Sequence, residues 1–449
     1  MLFLQCGSEY TLRGTNKNEK ITDYLDKKYP YAFGEPFLES EINKHTPYYD
    51  KIMVLAQDVS KGEAMTRALP EKTEAYITAT GSRKSMRLKD LFASPLHLLK
   101  PDTSESEEYA TRKLDLIQRC FLCNFESRCV RLENEAIEIL KQQNFSDYDQ
   151  IVIYSYWFFA NATVAVRLKE YIKKEMNYSG KITVISRAHR YDIYEDANKI
   201  NYLPFRKYLL NKVDYVFPCS DNGTMHLKTR YQDIESVIET AYLGTRDYGL
   251  SPKRGNGEFH IVSCSRVVKV KGLERLIDDL ALVKKGDKRI LWTHIGGGVE
   301  GKTKYYDSIR EYAKEKLKNI DFEFLGGMQN QQVYDYYKSN KVDVFVNVSY
   351  SEGLPVSLME ASSFGIPVIA TDVGGSAEII DKEQKNGFLL DKDFEKGALQ
   401  KKIELLLNES EEAYRKRRIA ARELWEKKYN AEKNYTDFAK KIYEISNNS

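Results

Sequence analysis

Between residues 259 and 371 this chain alternates two hydrophobic periods, and that alternation limits the fold more than any other feature. Short β-branched or aromatic runs occupy 259–265, 290–295, 322–326, 342–348 and 367–371. Amphipathic helical spacing fills the gaps at 273–284, 304–318, 331–339 and 356–364. The strand-like runs are apolar on both faces, so neither face can meet water. Strands of that kind, each followed by a helix, pack as a parallel sheet covered by helices on both sides. Ligands of such sheets bind outside the carboxyl ends of the strands.

The first half repeats the pattern less cleanly, with strand-like runs at 2–5, 51–55, 75–78, 150–155, 182–186, 215–219 and 237–242. A long helical stretch over 107–143 interrupts them. A chain of 449 residues exceeds one ordinary core, so two domains are expected. The Gly/Pro-rich loop 248–257 marks the division. The expected organisation is α/β throughout. Residues 1–247 form one Rossmann-like domain, 248–430 a second, and 431–449 a final helix with Tyr435, Phe438, Ile442 and Ile445 on one face.

The net charge of +3 carries no nucleic-acid footprint. The six cysteines are irregularly spaced and make no disulfide framework. Cys120 and Cys123 form a C-x-x-C inside a helical pattern, with no second pair at zinc spacing, and are expected as buried thiols. The opening Met1-Leu2-Phe3-Leu4-Gln5-Cys6 is too short for a signal peptide, and no run approaches the roughly 20 apolar residues of a membrane span. The default location is the cytoplasm.

The strand ends carry the chemistry. The run ending at Val348 breaks at Ser351-Glu352-Gly353, and Pro355 suits the first position of the next helix. Glu352 then projects from the loop and Glu360 lies just over one turn into the helix. The free amides of Gly353, Leu354 and Val356 lie between them. Carboxylates accept from hydroxyls and a helix start holds phosphate, so this suits a ligand bearing both. Arg266 ends the strand 259–265, and Lys271 with Gly272 opens the following helix. The pair brings a planar fork and a point charge to the same edge, although an isolated basic pair of this spacing is usually a solvated loop. With no acidic metal site beside them, the cations can neutralise a diphosphate leaving group without a metal. Gly296-Gly297-Gly298 permits close backbone approach to a ligand and is equally a flexible turn. Gly326-Gly327, with Met328 and Gln329, occupies the equivalent place one strand later and could line a pocket for a flat base. Gly374-Gly375, before Glu378, is a third such loop.

In the first half, His189 follows the strand 182–186, where a structural role competes with one facing a crevice. Gly34-Glu35-Pro36 opens a helix with Glu39 and Glu41 in its early turns, which is a phosphate or sugar contact or simple acidic capping. Residues 82–100 mix cations with large apolar residues, a composition shared by solvated helices and by segments lying on anionic membranes.

Taken in order, Arg266 with Lys271-Gly272, Gly296-Gly297-Gly298, Phe324-Leu325-Gly326, the Glu352–Glu360 spacing, Gly365-Ile366-Pro367, Gly374-Gly375-Ser376-Ala377-Glu378 and Asn386-Gly387-Phe388-Leu389 resemble the retaining GT-B glycosyltransferases of the family 4 type. The resemblance covers about 259–391. It implies two Rossmann-like domains facing across a cleft, with the acceptor on the first and a nucleotide sugar held mainly by the second. Arg266 and Lys271 would bind the donor diphosphate, Glu352 the sugar hydroxyls and Glu360 the ribose. Gly34, Gly297, Gly327, Met328, Gly353, Leu354, Pro355 and Val356 would complete the donor site. His189 matches the first-domain histidine near the reacting bond, and the last helix would cross back to the first domain. No cofactor or metal is implied beyond the nucleotide-sugar co-substrate, for which UDP is the commonest base.

One departure is Cys6-Gly7-Ser8, where many members carry two glycines. Gly34-Glu35 could replace it, as in polysaccharide enzymes with a similar Tyr-Pro-Tyr start. The expected function is hexosyl transfer to a glycan or lipid-linked acceptor in capsule or envelope synthesis, with peripheral membrane contact through 82–100 at the inner face. The alternatives are a protein acceptor, a non-catalytic partner subunit, or another reaction on the same fold, such as epimerisation or phosphorolysis.

Overall fold

A computed structural model describes residues 2–5, 20–26, 29–31, 36–99, 114–252, 257–284, 286–298 and 304–448. The chain divides into two compact units, Met1–Ala241 with Tyr435–Ser449, and Tyr242–Asn434.

The first unit holds an eight-stranded sheet. Its strands are β1 (Leu2–Gln5), β2 (Lys20–Asp26), β3 (Lys51–Ala56), β4 (Thr73–Ile77), β5 (Gln150–Ser155), β6 (Lys181–Ala188), β7 (Tyr215–Pro218) and β8 (Val237–Ile238). Their order is β4-β3-β1-β2-β5-β6-β7-β8. β1 runs antiparallel to its neighbours, and the other pairings are parallel. Ile151, Val152 and Ile153 of β5 and Val184 and Ile185 of β6 are fully buried, as strands covered on both faces must be. The helical stretch expected at 107–143 is a helix over Leu116–Leu140, and Asp115 caps it through a reciprocal bond with Gln118. Cys123 is buried on this helix, but Cys120 is exposed, contrary to expectation. From Tyr435 onward the last helix, Ala431–Asn448, belongs to this unit and adds Phe438 and Ile442 to its core.

Charge is also buried in this unit. Arg187 donates to Glu41 at 2.9 Å, and both side chains are fully buried. Tyr154 donates to the other Glu41 oxygen at 2.7 Å, and the Arg187 guanidinium lies 4.1 Å from the centre of the Phe438 ring. Burial raises the Glu41 carboxyl, but Arg187, His45 and Tyr154 outweigh it and hold it below the usual range. Glu41, expected in an early helical turn as a ligand contact or as simple acidic capping, is instead committed to the core.

The second unit holds β9 (Glu258–Cys264), β10 (Arg289–Ile295), β11 (Asp321–Gly326), β12 (Val344–Asn347), β13 (Val368–Thr371) and β14 (Gly387–Leu390). All are parallel, in the order β11-β10-β9-β12-β13-β14. The helices Leu273–Leu280, Lys304–Lys316, Asn330–Ser339 and Val356–Ser363 fall where helical spacing places them, whereas β14 and the helix Ala398–Asn408 were not foreseen. The loop expected as a linker is partly anchored. Tyr248 stacks on Tyr334 with ring centres 4.5 Å apart, and Arg418 donates to the carbonyls of Ser251 and Pro252. The change of unit accordingly comes earlier than that loop, at Ala241–Tyr242.

Candidate active site

β9 and β12 are hydrogen-bonded neighbours that are not consecutive in sequence. From β9 the chain builds outward through β10 and β11, then returns to build the other way from β12. Where the order reverses, the connections leave in opposite directions and open a crevice at the carboxyl ends of the two strands.

The loops that follow these strands are tied to each other. The Tyr350 amide donates to the Val270 carbonyl at 2.8 Å. Lys271 Nζ donates to Glu352 Oε1 at 2.6 Å. Arg275, on the helix Leu273–Leu280, donates to the carbonyls of Val348 (2.7 Å) and Ser349 (2.8 Å), and its guanidinium lies 3.9 Å from the Tyr350 ring centre. Gly272 makes this approach possible. Its φ is +66°, and a Cβ there would lie 2.5 Å from the Val348 carbonyl oxygen. Gly374 does the same behind the second loop, where a Cβ would stand 2.0 Å from the Glu352 carbonyl oxygen. The Gly374-Gly375 loop therefore supports the Glu352 loop from behind.

Three donors converge on one oxygen of Glu352. Besides Lys271, Asn347 Nδ2 lies 3.2 Å and Ser349 Oγ 2.6 Å from Oε1. The Ser349 hydroxyl is also 2.6 Å from Asn347 Oδ1, and its single proton serves one acceptor at a time. Glu352 is buried, while the Lys271 side chain retains 22% exposure. Arg266 is exposed, and its guanidinium makes no ion pair or hydrogen bond among the described residues. Pro355 is the N-cap of the helix Val356–Ser363, one position earlier than expected. Its backbone is extended (ψ 107°), and its carbonyl already accepts from Leu358 at 3.1 Å. A proline side chain caps nothing, and among the described residues no side-chain hydrogen bond to the first-turn amides takes its place.

Glu360 lies on that helix in a different environment. It is buried and accepts from Tyr334 Oη at 3.0 Å, and burial pushes its carboxyl up to about 7 against the lowering effect of that hydrogen bond. Gly297 and Gly327 follow β10 and β11, Gly327 exposed and Met328 half-buried. Gly34 lies outside the described residues.

His189 belongs to the first unit, at the carboxyl end of β6. Its amide donates to Asp192 Oδ1 at 2.5 Å, and Asp192 Oδ2 accepts from the Phe158 amide at 2.7 Å. One buried carboxylate thus joins the chain after β5 to the chain after β6. The His189 ring packs against Tyr156 and Trp157, at 5.1 and 4.7 Å between centres.

Residues 251–424 match the family pattern of glycosyl transferases group 1. The second unit is a group 1 glycosyl transferase domain. Over 219 residues, 46% of this chain, the sequence is 24% identical to the UDP-N-acetylglucosamine–peptide N-acetylglucosaminyltransferase GtfA subunit of Streptococcus pneumoniae serotype 4. Over 123 residues it is 32% identical to a putative teichuronic acid biosynthesis glycosyltransferase, TuaC, of Bacillus subtilis. The matches span 41% and 27% of those two relatives. Sucrose-phosphate synthase from Thermosynechococcus elongatus superposes with a TM-score of 0.67 at 14% identity, covering 95% of this chain and 99% of that one. The two-domain fold with parallel sheets is that of the GT-B glycosyltransferases.

Two residues of the glycosyl transferase domain and its companion unit escaped sequence reasoning. Arg275 is one helical turn beyond Lys271, but nothing local says that its partners are carbonyls more than seventy residues away. Asp192 carried a weak signal, an acid in the first turn of a helix after a strand.

Glu360 gives the domain a testable pH dependence. The folded protein holds the Glu360 proton to higher pH than the unfolded chain, whose carboxyl titrates near 4.5. The resulting stabilisation is fully present below pH 4.5 and is lost as pH rises through about 7. Glu360→Gln stays neutral throughout. It is expected to raise stability at pH 8 by about 3 kcal/mol over the parent protein and to change little at pH 4, as read by thermal unfolding at both pH values.

Proposed function

We propose that this protein is a retaining hexosyltransferase that moves a sugar from a UDP-linked donor to a hydroxyl of a glycan or lipid-linked acceptor. The observation that supports it best is the junction of Lys271 and Glu352 at the switch point, with Arg266 exposed beside it. Cations and a carboxylate at one strand edge match a ligand with a diphosphate and a sugar. Arg266 and Lys271 take the charge that develops on the departing diphosphate, so the reaction needs no metal ion. Glu352 accepts from sugar hydroxyls, and the amides of Gly353, Leu354 and Val356 lie at the same helix start. Glu360 takes the ribose hydroxyls, and Pro355, Gly297, Gly327, Met328 and Gly34 complete the donor contacts. His189 supplies a first-unit contribution to the transfer. Envelope polysaccharide synthesis is the setting, consistent with the resemblance to the putative teichuronic acid enzyme. A peptide hydroxyl as acceptor is the second reading, favoured by the resemblance to the peptide N-acetylglucosaminyltransferase subunit.

The test is to incubate the protein with an α-linked UDP-sugar and a mixed panel of glycan, lipid-linked and peptide acceptors, in the presence of EDTA. An α-linked product by NMR supports the proposal. A β-linked product, or a requirement for added metal, sinks the corresponding part.

Peripheral membrane contact belongs to the same proposal. The helix Arg83–Leu99 exposes Leu88, Leu91 and Phe92, the last at 78%, beside exposed Arg87 and Lys89. Asp90 is buried against Arg131 at 2.6 Å, so the charge left on the exposed face is positive. Leu116 and Ile117, on the next helix, are exposed as well. No helix among the described residues is long and apolar enough to cross a membrane. An apolar stripe rimmed by cations fits an anionic lipid surface, and peripheral attachment at the inner face of the membrane is part of this reading. The double variant Leu91→Ser/Phe92→Ser is expected to lower co-sedimentation with phosphatidylglycerol vesicles by at least about tenfold. Equal binding by the parent and the variant would refute the contact.

A further inference from the structure

We propose that Glu352 competes with the donor's diphosphate for Lys271, so that the ion pair between them is exchanged during each catalytic cycle. The inference rests on the reading of Lys271 as a diphosphate ligand and adds a role for the carboxylate beyond contact with the sugar.

A lysine ammonium is a compact point charge, and at 2.6 Å from Glu352 Oε1 it is largely spent on that oxygen. A diphosphate drawn to the same ammonium must displace the carboxylate. The surroundings of Glu352 make that displacement feasible. Oε1 keeps Asn347 Nδ2 at 3.2 Å, and Ser349 Oγ at 2.6 Å can turn its single proton to it from Asn347 Oδ1, so a Glu352 that gives up Lys271 remains hydrogen-bonded. Those donors are themselves fixed. The Ser349 amide donates to Asn347 Oδ1 at 3.0 Å, and the Ser349 carbonyl accepts from Thr371 and from Arg275. Lys271 is the more accessible member, with 22% of its side chain exposed against 10% for Glu352. Arg266 has no competing carboxylate among the described residues and can meet the phosphates first. After transfer, the return of Lys271 to Glu352 drives the nucleoside diphosphate off the enzyme and limits product inhibition.

The experiment is a double-mutant cycle read by calorimetry with inorganic pyrophosphate and with UDP. Glu352→Gln is expected to bind both probes about tenfold more tightly than the parent, and Lys271→Ala more weakly. In the Lys271→Ala background, Glu352→Gln is expected to change nothing, because there is no ammonium left to release. If Glu352→Gln tightens binding equally with and without Lys271, the effect is general charge repulsion and the competition is wrong. If Glu352→Gln fails to tighten binding while Lys271→Ala still weakens it, the competition fails and the diphosphate reading stands. If Lys271→Ala binds both probes like the parent, or neither probe binds any of the proteins, the diphosphate reading fails and the inference with it.

Discussion

Lys271→Ala is expected to lower turnover of the nucleotide sugar by about 10²–10³-fold, equivalent to roughly 3–4 kcal/mol of transition-state stabilisation. The loss arises because negative charge grows on the bridging oxygen as the sugar–phosphate bond breaks, and a preoriented ammonium needs little reorganisation to meet it. Gly272 turns the chain behind Lys271 and keeps it at the strand edge, so the ammonium has only to leave Glu352, 2.6 Å away, to meet that charge. Arg266→Ala is expected to cost less, about tenfold, since an exposed guanidinium is screened and must give up solvent to act. Lys271→Arg is not expected to restore the rate, because a planar fork does not fit where a point charge fits. Initial rates of nucleoside diphosphate release separate these cases. Removing the ammonium also leaves the buried Glu352 carboxylate with neutral donors alone among the described residues, so thermal unfolding is measured beside the rates. Unchanged turnover in Lys271→Ala would overturn the assignment of the diphosphate site.

The second large effect is on stability and lies in the other unit. Arg187→Met is expected to destabilise the first unit by about 3–5 kcal/mol. Glu41 and Arg187 are both fully buried, so removing the guanidinium leaves a carboxylate in the core with Tyr154 and His45 as its polar partners among the described residues. His45 does not substitute as a cation, because burial lowers its pKa and favours the neutral ring. The double variant Glu41→Leu/Arg187→Met is expected to recover most of the loss, since an apolar pair of similar volume replaces a buried ion pair at little cost. Urea unfolding followed by circular dichroism measures both. Equal stability of Arg187→Met and the parent would mean that the pair contributes nothing net.

How far the molecule could be read from its sequence differed between the units. In the second, hydrophobic period placed β9–β13 within a few residues, because each strand is a local run buried on both faces. β14 was not read as a strand, since Gly387-Phe388-Leu389-Leu390 is short and opens on a glycine. That glycine is needed because a Cβ would lie 1.9 Å from the Val368 carbonyl oxygen, a contact made only when the strands pair. In the first unit the antiparallel entry of β1 has no local signal, because strand direction is set by what pairs with it. Pro355 sits one place earlier than expected, as helix ends generally resist assignment from sequence. Glu41 looked like a helix-start acid, and its partner Arg187 is 146 residues away.

The sequence by itself determined the alternation of strands and helices and the set of charged or glycine-bearing strand ends. Hydrophobic period and turn residues are local, and a parallel strand–helix alternation puts all its strand ends on one edge. The tertiary structure decided the strand order, which brings β9 beside β12 and so makes neighbours of Lys271 and Glu352 across 81 residues of chain. It also decided which charges are spent on one another. Arg266 is left exposed, Lys271 is held by Glu352, Glu360 is buried against Tyr334, and Glu41 is sealed with Arg187. Pairing and burial depend on distances between segments remote in sequence, and those distances exist only once the sheets have formed.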